Sequence, residues 1–208
     1  RIYILAPLVK NRKGHYADLF ESIRRKGYLN VRVDGELREV KVGMKLDVLT
    51  GLGNGFDLTK SQKPLLVAGG IGVAPLIGLA KRFNELGVKP IMVYGAAKEC
   101  DLVMVEELKK YTELYLTTDD GSIGFKGNPV SYLKENNIEF DYYYACGPQV
   151  MLKYLSLYNN NGCVSLEARM GCGFGACMGC SIKTINGPKR VCKEGPVFEA
   201  SEVIFEWV

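Results

Sequence analysis

The stretch that decides the fold is Leu65-Leu66-Val67-Ala68-Gly69-Gly70-Ile71-Gly72-Val73-Ala74-Pro75. Its apolar start predicts a buried strand, and the glycines that follow predict a tight turn. Pro75 suits the first turn of a helix, because its missing N–H leaves no hydrogen bond unmade there. The stretch therefore predicts a strand that passes through a glycine turn into a helix beginning near Pro75.

The alternation of strands and helices continues along the chain to residue 158. Strands are predicted at residues 65–68, 90–94, 113–117 and 142–145, and helices at about residues 75–86, 105–111, 129–136 and 149–158. This order is typical of a parallel sheet with helices on its faces. We therefore expect an α/β fold, followed from residue 159 by a smaller cysteine-rich domain.

The residues before this unit follow another pattern. A strand at residues 2–8, a helix at residues 16–26 and a hairpin closed by Asp34-Gly35 predict an α+β segment. The glycine-rich run from Gly51 to Phe56 is too irregular for a strand or a helix. We therefore expect a boundary just before it.

The composition and charge of the chain argue against nucleic-acid-binding and membrane proteins. The 208 residues are 47% hydrophobic and carry a net charge of +4. The charges are spread along the chain, so nucleic acid is not expected as a partner. No apolar run is long enough to span a membrane, and the start of the sequence lacks the pattern of a secretion signal. We expect a cytoplasmic protein without membrane contact.

Four of the seven cysteines lie in one glycine-rich region. Separated by four, two and eleven residues, they are Cys172, Cys177, Cys180 and Cys192. This is the plant-type spacing for a [2Fe-2S] cluster held by four thiolates, and the glycines let the backbone wrap closely around it. Zinc is one alternative, although zinc sites more often pair two C-x-x-C motifs, and disulfides or free thiols are another. Cys100 and Cys163 fall outside the spacing and are interpreted as packing residues.

The glycine turn after the strand at residues 65–68 is a candidate dinucleotide site. Backbone N–H groups at the start of a helix attract anions, and glycines permit the close approach of a pyrophosphate. The candidate residues are Gly69, Gly70, Gly72 and Pro75. A tight strand-to-helix connection without a ligand explains the same glycines equally well.

Two other strand ends carry candidate ligand groups. Ligands of open α/β sheets bind outside the carboxyl ends of the strands. Cys146-Gly147-Pro148 and Asp119-Asp120 occupy such positions. Cys146 is the candidate catalytic residue, as a neighbour of a nicotinamide, and the two carboxylates are candidates for a ribose. The alternatives are a buried cysteine beside a simple turn and a solvated acidic turn.

With these motifs in view, the chain from about residue 48 resembles the family of electron transfer subunits of B-type dihydroorotate dehydrogenase. The resemblance rests on the cysteine loop, the glycine turn, Gly51-Leu52-Gly53-Asn54-Gly55-Phe56, Thr118-Asp119-Asp120-Gly121-Ser122 and Ala145-Cys146-Gly147-Pro148. It implies a remnant of a flavin-binding barrel at residues 48–58, a ferredoxin-reductase type NAD-binding domain at residues 59–158 and a [2Fe-2S] domain at residues 159–208. The implied cofactor-binding residues of the remnant are Gly53, Asn54 and Gly55.

The resemblance also implies a function in pyrimidine biosynthesis. Electrons taken from dihydroorotate at the FMN of a separate catalytic subunit would pass through the cluster and FAD to NAD, with Cys146 near the nicotinamide. Flavin is needed between them, because nicotinamide exchanges two electrons at once and a [2Fe-2S] cluster exchanges one. An oxidoreductase subunit that works with a catalytic partner is therefore implied.

Residues 1–47 depart from that family. They contain no Arg-x-x-Ser motif for a flavin phosphate, and residues 4–15 and 31–36 instead resemble a segment of UvrA, the excision-repair ATPase, near its contact with UvrB. Two unrelated segments therefore meet at residues 45–48. Two alternative functions follow, a ferredoxin-like one-electron carrier without flavin and an interaction module that acts through residues 1–47.

Overall fold

The computed structural model describes residues 52–205 in full and, before them, the backbone of two short strands. The chain divides into two compact units, residues 1–52 and 53–208. In the first unit, β1 (Asn30–Val33) pairs antiparallel with β2 (Glu36–Glu39), which confirms the predicted hairpin. The strand and the helix predicted at residues 2–8 and 16–26 lie outside the described residues.

The second unit contains a seven-stranded sheet. The elements of this unit are, in chain order, β3 (Pro64–Gly69), α1 (Val73–Glu85), β4 (Ile91–Ala96), α2 (Val105–Tyr111), β5 (Glu113–Thr118), β6 (Phe125–Lys126), α3 (Pro129–Glu135), β7 (Tyr142–Cys146), α4 (Gln149–Tyr158), β8 (Gly162–Ser165), β9 (Ser181–Thr184), β10 (Gly187–Arg190) and β11 (Val197–Glu199). The strand order is β11-β8-β7-β3-β4-β5-β6, and every pairing is parallel except that of β8 with β11. The predicted α/β fold with a parallel sheet is confirmed.

Both faces of the sheet are covered by helices. Leu65 and Val67 of β3 point into one core, which α3 and α4 complete, whereas Leu66 and Ala68 point into the other, which α1 and α2 complete. This alternation follows from the two-residue period of a strand, and burial on both faces explains why β3 reads as a continuous apolar run. In the described residues, no helix is both long and apolar enough to cross a membrane.

The sheet continues past residue 159, where the sequence analysis divides the domains. β8 pairs with β7 and β11 pairs with β8, so the cysteine-rich part is built onto the edge of the same sheet. Neither strand is predicted from the sequence, because four and three residues are too few to show a period. Tertiary packing defines them instead, since Val164 and Phe198 are buried in the core that α3 and α4 cover.

A close approach at the end of β4 provides a test of this packing. A Cβ on Gly95 would lie 2.6 Å from Cδ of Pro129 and 2.7 Å from Oγ1 of Thr117, both of which belong to buried residues. We expect Gly95→Ala to lower the free energy of unfolding in urea by about 1–3 kcal/mol, because neither neighbour has room to move.

Gly78→Ala is the matched control. Gly78 is exposed within α1 and has no atom within 4 Å of the added Cβ. This substitution should raise the free energy of unfolding by about 0.5–1 kcal/mol, because alanine favours the helix. Equal stability of the Gly95→Ala variant and the wild type would contradict the packing described at the end of β4.

Candidate functional site

The carboxyl ends of β3 and β7 meet near the middle of the sheet. The two strands are parallel neighbours, with Ala68 opposite Cys146. After β3 the chain passes to α1 on one face, and after β7 it passes to α4 on the other face. An open α/β sheet has a crevice where two connections diverge in this way, and ligands bind in it.

Three of the predicted glycines are required by the contact between these two turns. A Cβ on Gly72 would lie 2.3 Å from the carbonyl oxygen of Cys146. A Cβ on Gly147 would lie 2.9 Å from Cα of Gly69, and one on Gly69 would lie 2.6 Å from Cδ of Pro148. Packing alone therefore accounts for Gly69, Gly72 and Gly147, as expected if the glycine turn is a tight strand-to-helix connection without a ligand.

Gly70 is different, because no atom lies within 4 Å of the place where its Cβ would be. Its φ of +53° also favours glycine. It opens the 3-10 turn Gly70–Gly72, which leads directly into α1. This helix begins at Val73, two residues earlier than predicted, and Pro75 lies exposed in its first turn. Open backbone at the start of a 13-residue helix is suited to a phosphate group.

Cys146 ends β7 and is buried in the core that α1 covers. Burial raises the pKa of its thiol to about 12, and the nearby Glu167 contributes to the rise. The thiol is therefore protonated at neutral pH and unsuited to act as a nucleophile. Cys146 therefore places a neutral, weakly polar side chain at the carboxyl end of β7.

The two aspartates that follow β5 have different surroundings. Asp120 accepts hydrogen bonds from the hydroxyl and the backbone N–H of Ser122, at 2.6 and 2.9 Å, and these bonds lower the pKa of its carboxyl. It therefore closes an exposed turn. Asp119 instead lines a cavity of about 470 Å³.

This cavity lies between residues of α3 and α4 at the carboxyl edge of the sheet. Ser131 and Lys134 of α3 supply polar groups, and Val150 and Tyr154 of α4 supply apolar surface. Pro148, which contacts the glycine turn, also lines it. Apolar walls with a few polar groups are typical of small-molecule sites. Asp119 and Pro148 are cofactor-binding residues predicted from the sequence, whereas the contribution of α3 is visible only in the structure.

The four cysteines of the predicted cluster form two pairs. Cys180 and Cys192 are buried, with 3.2 Å between their sulfur atoms. Cys172 and the exposed Cys177 form the other pair, in which the backbone N–H of Cys177 donates to Sγ of Cys172. Among residues 52–205, no three cysteine, histidine or acidic side chains converge closely enough to hold a single metal ion. Two pairs suit the two irons of a [2Fe-2S] cluster better than one zinc ion, which needs a closed shell of four ligands.

Backbone N–H groups point at the sulfur atoms of both pairs. The N atoms of Ala176 and Cys177 lie 3.2 and 3.5 Å from Sγ of Cys172, and the N atom of Cys192 lies 3.4 Å from Sγ of Cys180. The N–H of Cys177 contributes most to lowering the pKa of Cys172 to about 6, whereas burial and then the neighbouring Cys180 thiol raise the pKa of Cys192 to about 11. Such donors stabilise negative charge on sulfur, the form that binds iron.

Arg190 joins the loop of the first three cysteines to the turn of the fourth, and an ion pair within the turn holds its side chain. Arg190 donates to the Glu194 carboxylate through Nε, at 3.0 Å, and through Nη2. Its Nη1 donates to the carbonyl oxygen of Gly175, in the cysteine loop. The backbone N–H of Arg190 also donates to the Glu194 carboxylate, at 2.7 Å. The Arg190 side chain therefore links these two segments.

The loop before β3, which includes the predicted residues Gly53, Asn54 and Gly55, contacts the same turn. The side chain of Asn54 donates to the carbonyl oxygens of Glu194 and Val197, at 3.0 and 2.6 Å. It also accepts from the N–H of Val197 at 2.9 Å. Sequence reasoning missed this contact, because the partners lie some 140 residues apart.

The remaining two cysteines, Cys100 and Cys163, differ in burial. Cys163 is buried in the core that α1 covers, which confirms its interpretation as a packing residue. Cys100 is exposed, so the same interpretation was wrong for it. The reason is that β4 ends at Ala96, and Cys100 lies in the 3-10 turn Glu99–Asp101 beyond the end of the sheet.

Three family models match parts of the chain. The iron-sulfur cluster binding domain of dihydroorotate dehydrogenase B matches residues 167–204, and an oxidoreductase NAD-binding domain matches residues 66–156. The UvrA interaction domain matches residues 1–49. The first match contains all four paired cysteines, and the second contains the glycine turn.

Curated relatives carry the name dihydroorotate dehydrogenase B (NAD(+)), electron transfer subunit. The relative from Fusobacterium nucleatum is 44% identical over 189 residues, which cover 84% of this chain and 73% of that protein. The relative from Streptococcus pneumoniae is 39% identical over 190 residues, which cover 85% of this chain and 76% of that protein. These shares include residues before position 48, so the similarity begins within the segment that also matches the UvrA model.

A solved structure of an NADH-dependent reduced ferredoxin-NADP oxidoreductase, studied for flavin-based electron bifurcation, has a TM-score of 0.70 and 32% identity. The match covers 80% of this chain and 63% of that one, so this chain spans less than two thirds of that protein. Fold and matched domains define a class of reductases that join a NAD-binding domain to an iron-sulfur domain. Within it, the chain belongs to the family of electron transfer subunits of dihydroorotate dehydrogenase B.

Proposed function

We propose that this protein relays electrons between a dihydroorotate dehydrogenase catalytic subunit and NAD through a [2Fe-2S] cluster. The proposed ligands are Cys172, Cys177, Cys180 and Cys192. The observation that carries the proposal is the arrangement of these cysteines as one buried pair and one outer pair. Such an arrangement supports a binuclear centre with one side in the protein core and the other side open to a partner.

The residues around the cysteines have defined tasks in this proposal. Burial of Cys180 and Cys192 keeps water from the inner pair, and the N–H groups directed at Cys172 stabilise its thiolate. Arg190 holds the loop and the turn together, with its charge balanced by the Glu194 carboxylate. A cluster bound there supplies one-electron transfer.

We place the pyrophosphate of NAD at Gly70 and its adenosine in the cavity lined by Asp119. The open side of Gly70 at the start of α1 supports the first assignment. The carboxylate of Asp119, a potential acceptor for a ribose hydroxyl, supports the second. Gly69, Gly72 and Gly147 shape the crevice, because the absence of a Cβ at each lets the two turns pack closely.

FAD completes the proposed relay, because hydride transfer to or from NAD moves two electrons while the cluster moves one. The loop at Gly53, Asn54 and Gly55 is the part of the described chain proposed to lie beside it. The alternative is a one-electron carrier without flavin. The match of residues 1–49 to the UvrA interaction domain is the observation behind that alternative, whereas the similarity to the curated electron transfer subunits, which reaches into the same segment, supports the relay with FAD.

We infer that the outer cysteine pair faces the catalytic subunit, which carries FMN. Three large apolar side chains in this loop, Met170, Phe174 and Met178, are 38%, 55% and 49% exposed. Apolar side chains grouped on a surface are typical of protein interfaces. A partner seated there would shield the outer pair from water and bring its flavin toward the cysteines.

The cluster assignment is tested on protein purified without oxygen. We expect iron and acid-labile sulfide near two per chain by chemical analysis, with the visible absorption of a [2Fe-2S] centre, about two of each being what this cluster type contains. Cys177→Ser should lose most of both, because a ligand is removed. Cys100→Ser is the matched control, since Cys100 is also exposed but lies outside the loop.

Equal iron content in the two cysteine variants would refute the ligand assignment. Zinc without sulfide in the wild type would overturn the cluster itself. Flavin analysis of the same sample decides between the two functions, because a cluster without FAD would make the protein a one-electron carrier.

The NAD site is tested at Gly70. Gly70→Val should raise the Kd for NADH in calorimetric titration by about tenfold or more, or 1.4 kcal/mol, because the new side chain occupies the approach of the pyrophosphate. Gly87→Val is the control, since Gly87 has a φ of +79° and equally open surroundings at the end of α1. Both variants carry similar backbone strain, so an equal effect on the Kd would argue against a phosphate at Gly70.

The partner surface is tested at Phe174. Phe174→Ser should weaken binding to the cognate catalytic subunit by about tenfold or more, because large aromatic side chains dominate interface energies. Leu157→Ser, which removes an even more exposed apolar side chain from α4, should leave the affinity unchanged. Surface plasmon resonance measures both, and unchanged binding by the Phe174 variant would exclude this surface.

A further inference from the structure

The side chain of Asn54 binds the backbone of another segment as a neighbouring strand would. Its Nδ2 donates to the carbonyl oxygen of Val197 at 2.6 Å, and its Oδ1 accepts from the N–H of the same residue at 2.9 Å. Nδ2 also donates to the carbonyl oxygen of Glu194 at 3.0 Å. The backbone N–H of Asn54 donates to the carbonyl oxygen of Gly195 at 2.6 Å. One residue thus satisfies four polar groups between positions 194 and 197.

These partners close the turn that carries Cys192. The N–H groups of Glu194 and Gly195 donate to the carbonyl oxygen of Arg190 at 2.9 and 3.2 Å, so the turn runs from residue 190 to residue 195. After Pro196, Val197 is the first residue of β11. Asn54 therefore binds at the junction between the cysteine turn and the sheet.

We propose that Asn54 is a positioning residue that fixes the turn of Cys192 against the loop leading into the NAD-binding domain. This inference rests on the proposed cluster. The N–H of Cys192 points at Sγ of Cys180, so a fixed turn keeps the buried sulfur pair together. If the turn is released, Cys192 leaves the core, and water and chelators reach the inner pair.

A carboxamide is the group that this position requires. It donates to two carbonyl oxygens and accepts from one N–H at the same time, which a carboxylate cannot do because it only accepts. An aspartate at position 54 would keep the bond from the N–H of Val197 and place a negative charge against the carbonyl oxygens of Glu194 and Val197. The change from Asn to Asp alters almost no volume, so it tests hydrogen bonding rather than packing.

Asn84→Asp is the matched control. The Nδ2 of Asn84 also donates to two carbonyl oxygens, those of Ala80 and Tyr111, at 2.9 and 2.6 Å. It joins α1 to the end of α2, on the sheet face opposite the core that holds Cys180 and Cys192. The same chemical change there costs two similar hydrogen bonds without touching the cysteine turn.

The experiment uses the full chain reconstituted with iron and sulfide under argon. The rate of iron release to a ferrous chelator and the electron paramagnetic resonance spectrum of the dithionite-reduced protein are measured for the wild type, Asn54→Asp, Asn54→Ala and Asn84→Asp. Iron release should be about fivefold faster or more in Asn54→Asp, intermediate in Asn54→Ala and within about twofold of the wild type in Asn84→Asp. Changed g values in Asn54→Asp alone would support a displaced ligand.

Several results would overturn the inference. The first is an Asn54→Asp variant that matches the wild type in both iron release and spectrum. The second is an Asn84→Asp variant that accelerates release as much as Asn54→Asp, which would indicate general loosening. Asn54→Ala covers the case in which Asn54→Asp does not fold, because it adds no charge. A wild-type chain that takes up no iron and sulfide would refute the proposed cluster itself. The reconstituted wild type shows this before any variant is compared, so the two failures are distinguishable.

Discussion

The turns that follow β3 and β7 touch through their backbones, and this contact leaves no room for a side chain on Gly72, whose Cβ would fall 2.3 Å from the carbonyl oxygen of Cys146. The contact brings the two carboxyl ends together while the chain departs to α1 on one face and to α4 on the other. The crevice, the open side of Gly70 and the cavity beside Pro148 all depend on it. A bulkier residue at position 72 would push the two turns apart.

The cysteine-rich part depends on the same sheet. β8 extends the sheet from β7, and β11 extends it further, so Val164 and Phe198 share one core with the inner sulfur pair. The loop and turn around the cysteines contain little regular structure of their own beyond the β9–β10 hairpin. Their positions are therefore set by side-chain anchors, Arg190 within the cysteine-rich part and Asn54 from outside it.

Sequence reasoning succeeded where a local pattern carries the information. The continuous apolar run of β3 and the spacing from Cys172 to Cys192 depend only on nearby residues, and the parallel sheet was predicted from repetition of the first pattern. It failed where long-range contacts decide, as in the short strand β8 and the hydrogen bonds of Asn54. Asp119 and Asp120 were indistinguishable in sequence, because only packing shows which one faces the cavity.

The two sulfur pairs have unequal surroundings, and this asymmetry suits a relay. Cys180 and Cys192 are 3% and 6% exposed, whereas Cys177 is open to solvent. Solvent exposure and hydrogen bonds to sulfur both tune the potential of an iron-sulfur centre. A catalytic subunit seated on the exposed loop would remove water from Cys177 while leaving the inner pair unchanged. Partner binding would therefore act on the outer pair alone, so that the potential of the proposed centre depends on whether its partner is present.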